Sequence, residues 1–569
     1  MVSNTQSLFS SFIILLIMSR VAESTEKEII EKCESLREAF SAGKSLSYDW
    51  RRSQIIAIRD MCKENEEAIS AALASDLGRG NFEAIALELL PLYQEVDHAL
   101  SNLSSWMKPE QKGTPMGMSP SVSEVHSVPF GVSLIIAPFN YPLGLCLGPL
   151  IGAVAAGNCC LIKPSELTSS VENVISQLMS KYMDTDCIDC VFGGIQTSQT
   201  LLAQKFDKIF FTGSTRVGKI VMRAAAENLT NITMELGGKS PCIIDSSCTN
   251  ISLAVKRILW GKYANAGQTC IAPDYILCHE DNYDALVAEC TKRINESFGG
   301  DPFACKDYCR IVSEMHTKRL ESLVNQAASK GATILSGNGV VDMNVSSTAT
   351  GSTRKRSKSA DKKDKVSSGS AGNNHISVGD RHCSPTLITG ITLDNWNDFD
   401  VMNEEIFGPL LPIIKVSAAD FTSNIPTIVK GIHEHPLALY IFAKNRTFID
   451  HVLARSNSGG AVINDVVYHY ANGNLPFGGV GPSGMGNAHG NYSFDCFSHK
   501  KAVMRRDDHT IFDIPQRYPP YTDFSLMLFR VNAKLPNMPH ITQGTFKLTV
   551  FAAFAFLAAK GAIAMNLFK

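Results

Sequence analysis

Thiol chemistry needs a nucleophile on a tight turn, a donor for the oxyanion that its attack creates, and a base not permanently tied to it. The stretch Lys262-Tyr-Ala-Asn-Ala-Gly-Gln-Thr-Cys-Ile-Ala-Pro273 offers the first. Ala266, Gly267 and Gln268 can bend sharply ahead of Thr269 and Cys270, and Pro273 keeps the next segment out of an interior strand. Upstream, Thr233-Met-Glu-Leu-Gly-Gly-Lys-Ser-Pro241 sets Glu235 before two glycines that let a mobile carboxylate come close to a ligand. Pro138-Phe-Asn-Tyr-Pro142 holds the Asn140 amide, a neutral donor, between two prolines that stiffen its loop.

Each of these has an ordinary alternative, since most cysteines are packing residues and most glutamates are solvated. In this order and spacing, however, Phe-Asn-Tyr-Pro, Glu-Leu-Gly-Gly-Lys and Gly-Gln-Thr-Cys resemble the aldehyde dehydrogenase superfamily. The likeness runs from about Lys27 to about Tyr521 and is greatest to the class 3 branch, which includes fatty aldehyde dehydrogenases. It implies oxidation of medium- to long-chain aliphatic aldehydes to carboxylic acids through a thioester on Cys270. Asn140 and the Cys270 N–H would then meet the oxyanion, and Glu235 would activate water. NAD is the implied cofactor, with NADP left open. The residues alone imply only thiol chemistry near a carboxylate, so two rivals stay open. One is a cysteine esterase, which would want a histidine paired to the thiol; the other is a catalytically inactive dinucleotide-binding scaffold.

The segment Lys208-Ile-Phe-Phe-Thr-Gly-Ser-Thr-Arg-Val-Gly218 reads as strand, turn and helix start. Gly213 and Gly218 lack the Gly-x-Gly-x-x-Gly fingerprint of dinucleotide folds. The Thr212 and Ser214 hydroxyls, with the amides of the first helical turn, can still face a pyrophosphate. The ordinary alternative is a helix capped by Ser214 or Thr215. By resemblance, Lys163 and Glu166 meet the adenosine ribose, while in Asn403-Glu-Glu-Ile-Phe-Gly-Pro409 Glu405 holds the nicotinamide ribose and Phe407 packs near the ring. Lys239, His469 and His489 receive no catalytic role.

These groups must be positioned by alternating strands and helices, which predict an α/β protein. Helical spacing runs from Glu26 to about Leu103 and again over 253–263, 281–298 and 313–330, and Leu143–Ala156 reads as a buried helix. Strands are expected at 123–127, 131–137, 190–194, 208–212, 275–278, 331–337, 383–389, 436–443 and 460–465. The resemblance sharpens this to a Rossmann-like cofactor domain, an α/β catalytic domain and a small bridging or oligomerisation sheet, with a homodimer made by extending that sheet across two subunits.

With 44% hydrophobic content in 569 residues, the chain can bury a large core and divide into several domains. A net charge of −2 gives no basic surplus for nucleic acid. Sixteen scattered cysteines form neither a disulfide framework nor a zinc spacing, so no metal is expected. The expected division is an apolar N-terminal extension (1–25), a dinucleotide-binding domain (26–114 and 134–236), bridging strands (115–133 and 491–505), a catalytic domain (237–490), a C-terminal extension (506–545) and a hydrophobic tail (546–569). Within the catalytic domain, 338–379 reads as a disordered basic insertion, rich in Ser, Gly and Asn with Arg354 to Lys365 as its charged centre. A nuclear-import signal is the less favoured reading of that segment.

Leu8–Met18 suits a signal h-region in length but has no preceding basic residue, leaving signal, membrane-associated extension and mis-set start open. Leu548–Phe568 would reach ~30 Å as a helix, enough for a hydrocarbon core, with Lys560 near its middle. The expectation is membrane contact through this tail with a cytosol-facing catalytic region, the endoplasmic reticulum being one candidate membrane; a soluble cytoplasmic enzyme is the alternative.

Overall fold

The structure, a computed structural model, describes residues 21–115, 118, 121–299, 301–336, 339–341, 375–506, 508, 513, 515–534 and 537–538. The apolar run Leu8–Met18, the charged centre of the insertion and the tail Leu548–Phe568 lie outside the described residues. Among the described residues, no helix is long and apolar enough to cross a membrane.

The first unit comprises the chain up to Ser101 together with Gly131–Phe497. Its opening helices, α1 (Glu26–Ser41), α2 (Tyr48–Glu64) and α3 (Glu66–Leu77), bury one apolar face each. Thr25 starts α1 with a capping box and Ser47 caps α2. The first sheet contains β1 (Val132–Ile136), β2 (Cys159–Lys163), β3 (Ile188–Cys190), β4 (Lys208–Thr212) and β5 (Asn231–Glu235). Its order is Gly484–Met485, β5, β4, β1, β2, β3, all parallel apart from the antiparallel Gly484–Met485. Every residue of β1, β2 and β4 is buried, as expected of parallel strands covered on both faces. Helix α4 (Gly144–Ala156) follows β1 and buries ten of its thirteen residues. Because β1 sits between β2 and β4, the chain reverses direction of travel there, and the carboxyl ends of β1 and β4 flank the crevice where open α/β sheets hold ligands.

The second sheet of this unit contains β6 (Pro241–Ile244), β7 (Tyr275–His279), β8 (Thr333–Ser336), β9 (Thr386–Thr389), β10 (Leu410–Val416), β11 (Ala438–Phe442) and β12 (Gly460–Ile463). They run in the order β8, β9, β10, β7, β6, β11, β12, with β8 antiparallel to β9 and the rest parallel. Residues Ile276, Ile243, Ile413 and Leu439, all fully buried, belong to the large core around this sheet. The second unit, Asn102–Phe130 with the described residues from Ser498 onward, is built on a three-stranded antiparallel sheet ordered Glu110–Lys112, Val122–Pro129, Ser498–Arg505.

The α/β class with a small bridging sheet is as expected, but several boundaries differ. Glu110–Lys112 pairs with Val122–Pro129 and so belongs to the bridging sheet, not to a domain spanning 26–114. All three of its residues are exposed, so no apolar alternation marked it as a strand. Asn491–Cys496 is a short helix of the first unit, and the final bridging strand begins only at Ser498. Gly484–Met485, taken with the catalytic region, joins the first sheet beside β5. The strand expected at 190–194 instead ends at Cys190, where Gly193 turns the chain with φ of 135°. At the margins of 338–379, Gly339–Val340 pairs with β8 and Ile376–Ser377 with His382–Cys383.

Candidate active site

The turn that leads to Cys270 begins where α6 (Ile251–Tyr263) stops. Ala264–Gly267 forms a single 3-10 turn in which Asn265 and Ala266 take left-handed backbone angles, φ 52° and 50°. For the alanine that conformation costs roughly 1–2 kcal/mol, so the surroundings must hold it. Gln268 does much of this: its side-chain amide donates to the carbonyls of Asn265 (3.1 Å) and Arg310 (3.0 Å) and accepts from the Val312 N–H (2.9 Å). Downstream, the Tyr440 hydroxyl donates to the Ile271 carbonyl at 2.6 Å. Cys270, at the end of this clasp, keeps part of its surface open. The protein packed round the sulfur, followed by the charges of Glu405 and Glu235, pushes its thiol far above the ordinary range, which favours the protonated form.

Glu235 ends β5, buried, with Oε1 lacking any hydrogen-bond partner. Burial pushes its carboxyl up to about 8, where it can both take and release a proton near neutral pH. Asn140 lies on the loop leaving β1, also buried. Its backbone carbonyl accepts from Arg79 Nη2 at 2.6 Å and from Asn265 Nδ2 at 2.8 Å, and no other described residue hydrogen-bonds its side-chain amide. The neighbouring Tyr141 hydroxyl shares a 2.7 Å hydrogen bond with Thr269 Oγ1. The Asn140 loop and the Cys270 turn are therefore tied together at two points, while Glu235 lies near enough for its charge to act on the thiol.

On the dinucleotide side, Thr212 closes β4 with its hydroxyl buried and unpartnered. The Gly213 N–H donates to the Glu235 carbonyl at 3.0 Å, linking the two strand ends. Ser214 caps α5 (Thr215–Glu227), its hydroxyl accepting from the Val217 N–H at 3.4 Å, so the ordinary capping alternative is realised here. Gly218 is buried in the first turn of that helix. At the carboxyl end of β2, the Lys163 ammonium donates to Glu166 at 2.9 Å and to the Pro164 carbonyl at 3.1 Å. Glu405 lies against Gly237, where even a methyl group would meet its Oε2 at 2.1 Å. Burial, then the charge of Asp274, pushes its carboxyl up to about 8. Phe407, at φ 47°, packs edge-on to Phe139 with ring centres 5.7 Å apart, which brings it beside the Asn140 loop. A buried hydroxyl with no partner among the described residues, the start of a helix beside it and a glycine cleared for a carboxylate together fit a dinucleotide.

A sequence model of the Aldehyde dehydrogenase family matches residues 16–353 and 345–503. The chain belongs to the aldehyde dehydrogenase family. It is 39% identical over 505 residues to rat aldehyde dehydrogenase family 3 member B1, covering 88% of this chain and 96% of that one. Mouse aldehyde dehydrogenase family 3 member A2 is 37% identical over 526 residues, 92% of this chain and 97% of that one. Among solved structures, the substrate-bound Staphylococcus aureus AldH aligns with TM-score 0.76 and 37% identity over 89% of this chain and 99% of that one. The protein is accordingly an NAD(P)-dependent aldehyde dehydrogenase.

Sequence reasoning about this dehydrogenase missed the residues that carry the scaffolding. The Lys239 ammonium is buried on Asp274 and donates to the carbonyls of Val401 (2.8 Å) and Glu404 (2.9 Å), while Asp274 accepts from the Ile406 N–H at 3.1 Å. Arg319 reaches the Glu404 carboxylate at 2.9 Å and the Glu405 carbonyl at 3.3 Å. Lys239 thus anchors the segment bearing Glu405 and Phe407. Arg79 and Glu88, each buried, form a 2.7 Å ion pair beside Asn140. A glutamate amid Ile85-Ala-Leu-Glu-Leu-Leu was the available signal, because a carboxylate in so apolar a helix demands a buried partner.

Proposed function

We propose that this dehydrogenase oxidises aldehydes through a thioester on Cys270, with Glu235 as general base and the Asn140 amide and the Cys270 N–H as oxyanion donors. As Cys270 Sγ bonds to the aldehyde carbon, the thiol proton passes to Glu235, and the carbonyl oxygen takes its negative charge against Asn140. A bound NAD(P) supplies the acceptor for the hydride that leaves this carbon. Glu235, having released its first proton to solvent, then removes one from a water whose oxygen attacks the thioester; as the C–S bond breaks, that proton passes from Glu235 to the leaving sulfur, the carboxylic acid departs, and Cys270 and Glu235 are both restored. The observation that supports this reading is the buried Glu235 carboxyl at the end of β5, its Oε1 without a partner among the described residues and its proton affinity raised by burial to about 8, near enough for its charge to act on the Cys270 thiol.

Thr212, Gly213, Ser214 and Gly218 would take the pyrophosphate, Lys163 and Glu166 the adenosine ribose, and Glu405 and Phe407 the nicotinamide half. Solved relatives of the fold carry NADP in the Methanocaldococcus jannaschii glyceraldehyde-3-phosphate dehydrogenase GapN and NAD in PnpE, which supports a site open to either. The apolar tail 548–568 supports attachment to a membrane, where medium- and long-chain aldehydes partition. The Ser498–Arg505 edge supports a homodimer by sheet extension.

In Glu235→Gln, turnover should fall about 1,000-fold, and formation of the aldehyde adduct on Cys270, followed by intact mass, should slow with it because the thiol has lost its base. Wild-type deacylation should climb as pH rises through about 8, because the raised carboxyl is protonated below that and a base above it; Glu235→Gln should lose this limb. Undiminished turnover in Glu235→Gln would falsify the assignment. Rates on hexanal and hexadecanal, with and without residues after Phe546, test chain length and tail together.

A further inference from the structure

The ion pair at Arg79 lies outside the reacting groups yet touches everything that spaces them. Helix α3 ends in a left-handed Gly78, φ 59°, whose N–H donates to Ala74 O at 2.9 Å while that of Arg79 reaches back to Leu73 O at 3.5 Å. This cap leads into Arg79, whose side chain is fully buried. Glu88 meets it from a π-helical turn, Ile85–Leu89, in which the Leu90 N–H bonds to the Ile85 carbonyl. Pro91 follows and has no N–H to continue the ordinary ladder, which accounts for the widened turn.

From that anchor the guanidinium spreads over both loops of the site. Nη1 holds Glu88 Oε1 at 2.7 Å, and Nη2 donates at 2.6 Å to the Asn140 carbonyl and to Asn265 Oδ1. Its Cζ lies 5.0 Å from the centre of the Tyr141 ring, whose hydroxyl grips Thr269. The other Glu88 oxygen accepts from the Gly144 N–H at 2.6 Å, fixing the start of α4 after the Asn140 loop. Asn265, in turn, donates to both the Asn140 and Gln268 carbonyls. A planar fork with several fixed donors suits this task, whereas a lysine would offer a single point.

We propose that Arg79 is a positioning residue that sets the separation of the Asn140 amide and the Cys270 thiol, by holding the oxyanion loop and the nucleophile turn on one guanidinium anchored by Glu88. This rests on the reading of Asn140 as oxyanion donor given above. Arg79, its side chain fully buried, acts through these two loops.

A double-mutant cycle in the full-length enzyme tests it, reading the single-turnover rate of thioester formation, aldehyde KM and NADH affinity. Arg79→Gln should slow acylation about 100-fold. Its KM and NADH affinity should stay within about threefold, because the displaced groups act on the transition state. In an Asn140→Ala background, the same change should cost less than about threefold more, since Arg79 works through that amide. An equal loss in both backgrounds, or acylation undiminished in Arg79→Gln, overturns the proposal. Should Arg79→Gln fail to fold, Asn265→Gly keeps the left-handed turn and the ion pair but removes the shared acceptor; it should slow acylation about tenfold with the same non-additivity. Full acylation in that variant also overturns it. Unchanged acylation in Asn140→Ala alone identifies a different failure, that of the oxyanion assignment.

Discussion

The turn that carries Cys270 and the turn that follows β4 stand at opposite extremes of local economy. The first forces Asn265 and Ala266 into left-handed geometry and needs the Gln268 side chain, Tyr141 and Tyr440 to keep it there. The second is an ordinary helix entry, with Ser214 on the Val217 N–H and one hydroxyl, Thr212, left unpaired. The difference is informative. A reacting atom must be placed before the substrate arrives, so the protein supplies every partner itself. A bound ligand can complete its own site, so the protein may leave a donor open for it.

Breaking the clasp of the nucleophile turn should have the largest effect. Gln268→Ala removes three hydrogen bonds at once and should lower kcat about 100-fold with Cys270 still present, checked by thiol titration and turnover on the same sample. A smaller effect, of opposite sign in two measurements, should come from Thr212→Val. NAD affinity should fall about tenfold as a hydrogen bond is lost, while the cofactor-free enzyme melts at the same temperature or higher because a buried unpaired hydroxyl is gone. Titration calorimetry and melting curves separate the two. Least affected should be Ser214→Ala, which loses a helix cap worth about 1 kcal/mol, read by melting, and changes NAD affinity less than Thr212→Val does. A large cofactor defect there with normal melting would collapse the contrast.

Family, class and fold were legible because their signals are local. Phe-Asn-Tyr-Pro, Glu-Leu-Gly-Gly-Lys and Gly-Gln-Thr-Cys each occupy one short stretch, and apolar runs such as Leu134–Ile136 and Tyr275–Cys278 mark buried strands directly. What was illegible depends on partners far apart in the chain. Arg79 reaches Asn140 across 61 positions and Asn265 across 186, so no window of sequence contains its role. The left-handed Ala266 was equally hidden, since alanine rarely takes that conformation and only its surroundings explain it. Exposed Glu110–Lys112 failed for the opposite reason, having no buried face to announce a strand.

The pairing of β5 with β4 sets Glu235 directly opposite Thr212 and Glu235 opposite Gly484 on the other side. Side chains alternate faces along a strand, so sliding β5 by a single step would present Met234 where the carboxyl belongs. Such a chain would keep its helices and its thiol, yet on the proposed mechanism it would lack the base for both attack and hydrolysis. Turnover therefore audits strand alignment more strictly than circular dichroism or melting can, and a refolded batch with its full thiol titre but little turnover is the mark of molecules that closed one notch out of place.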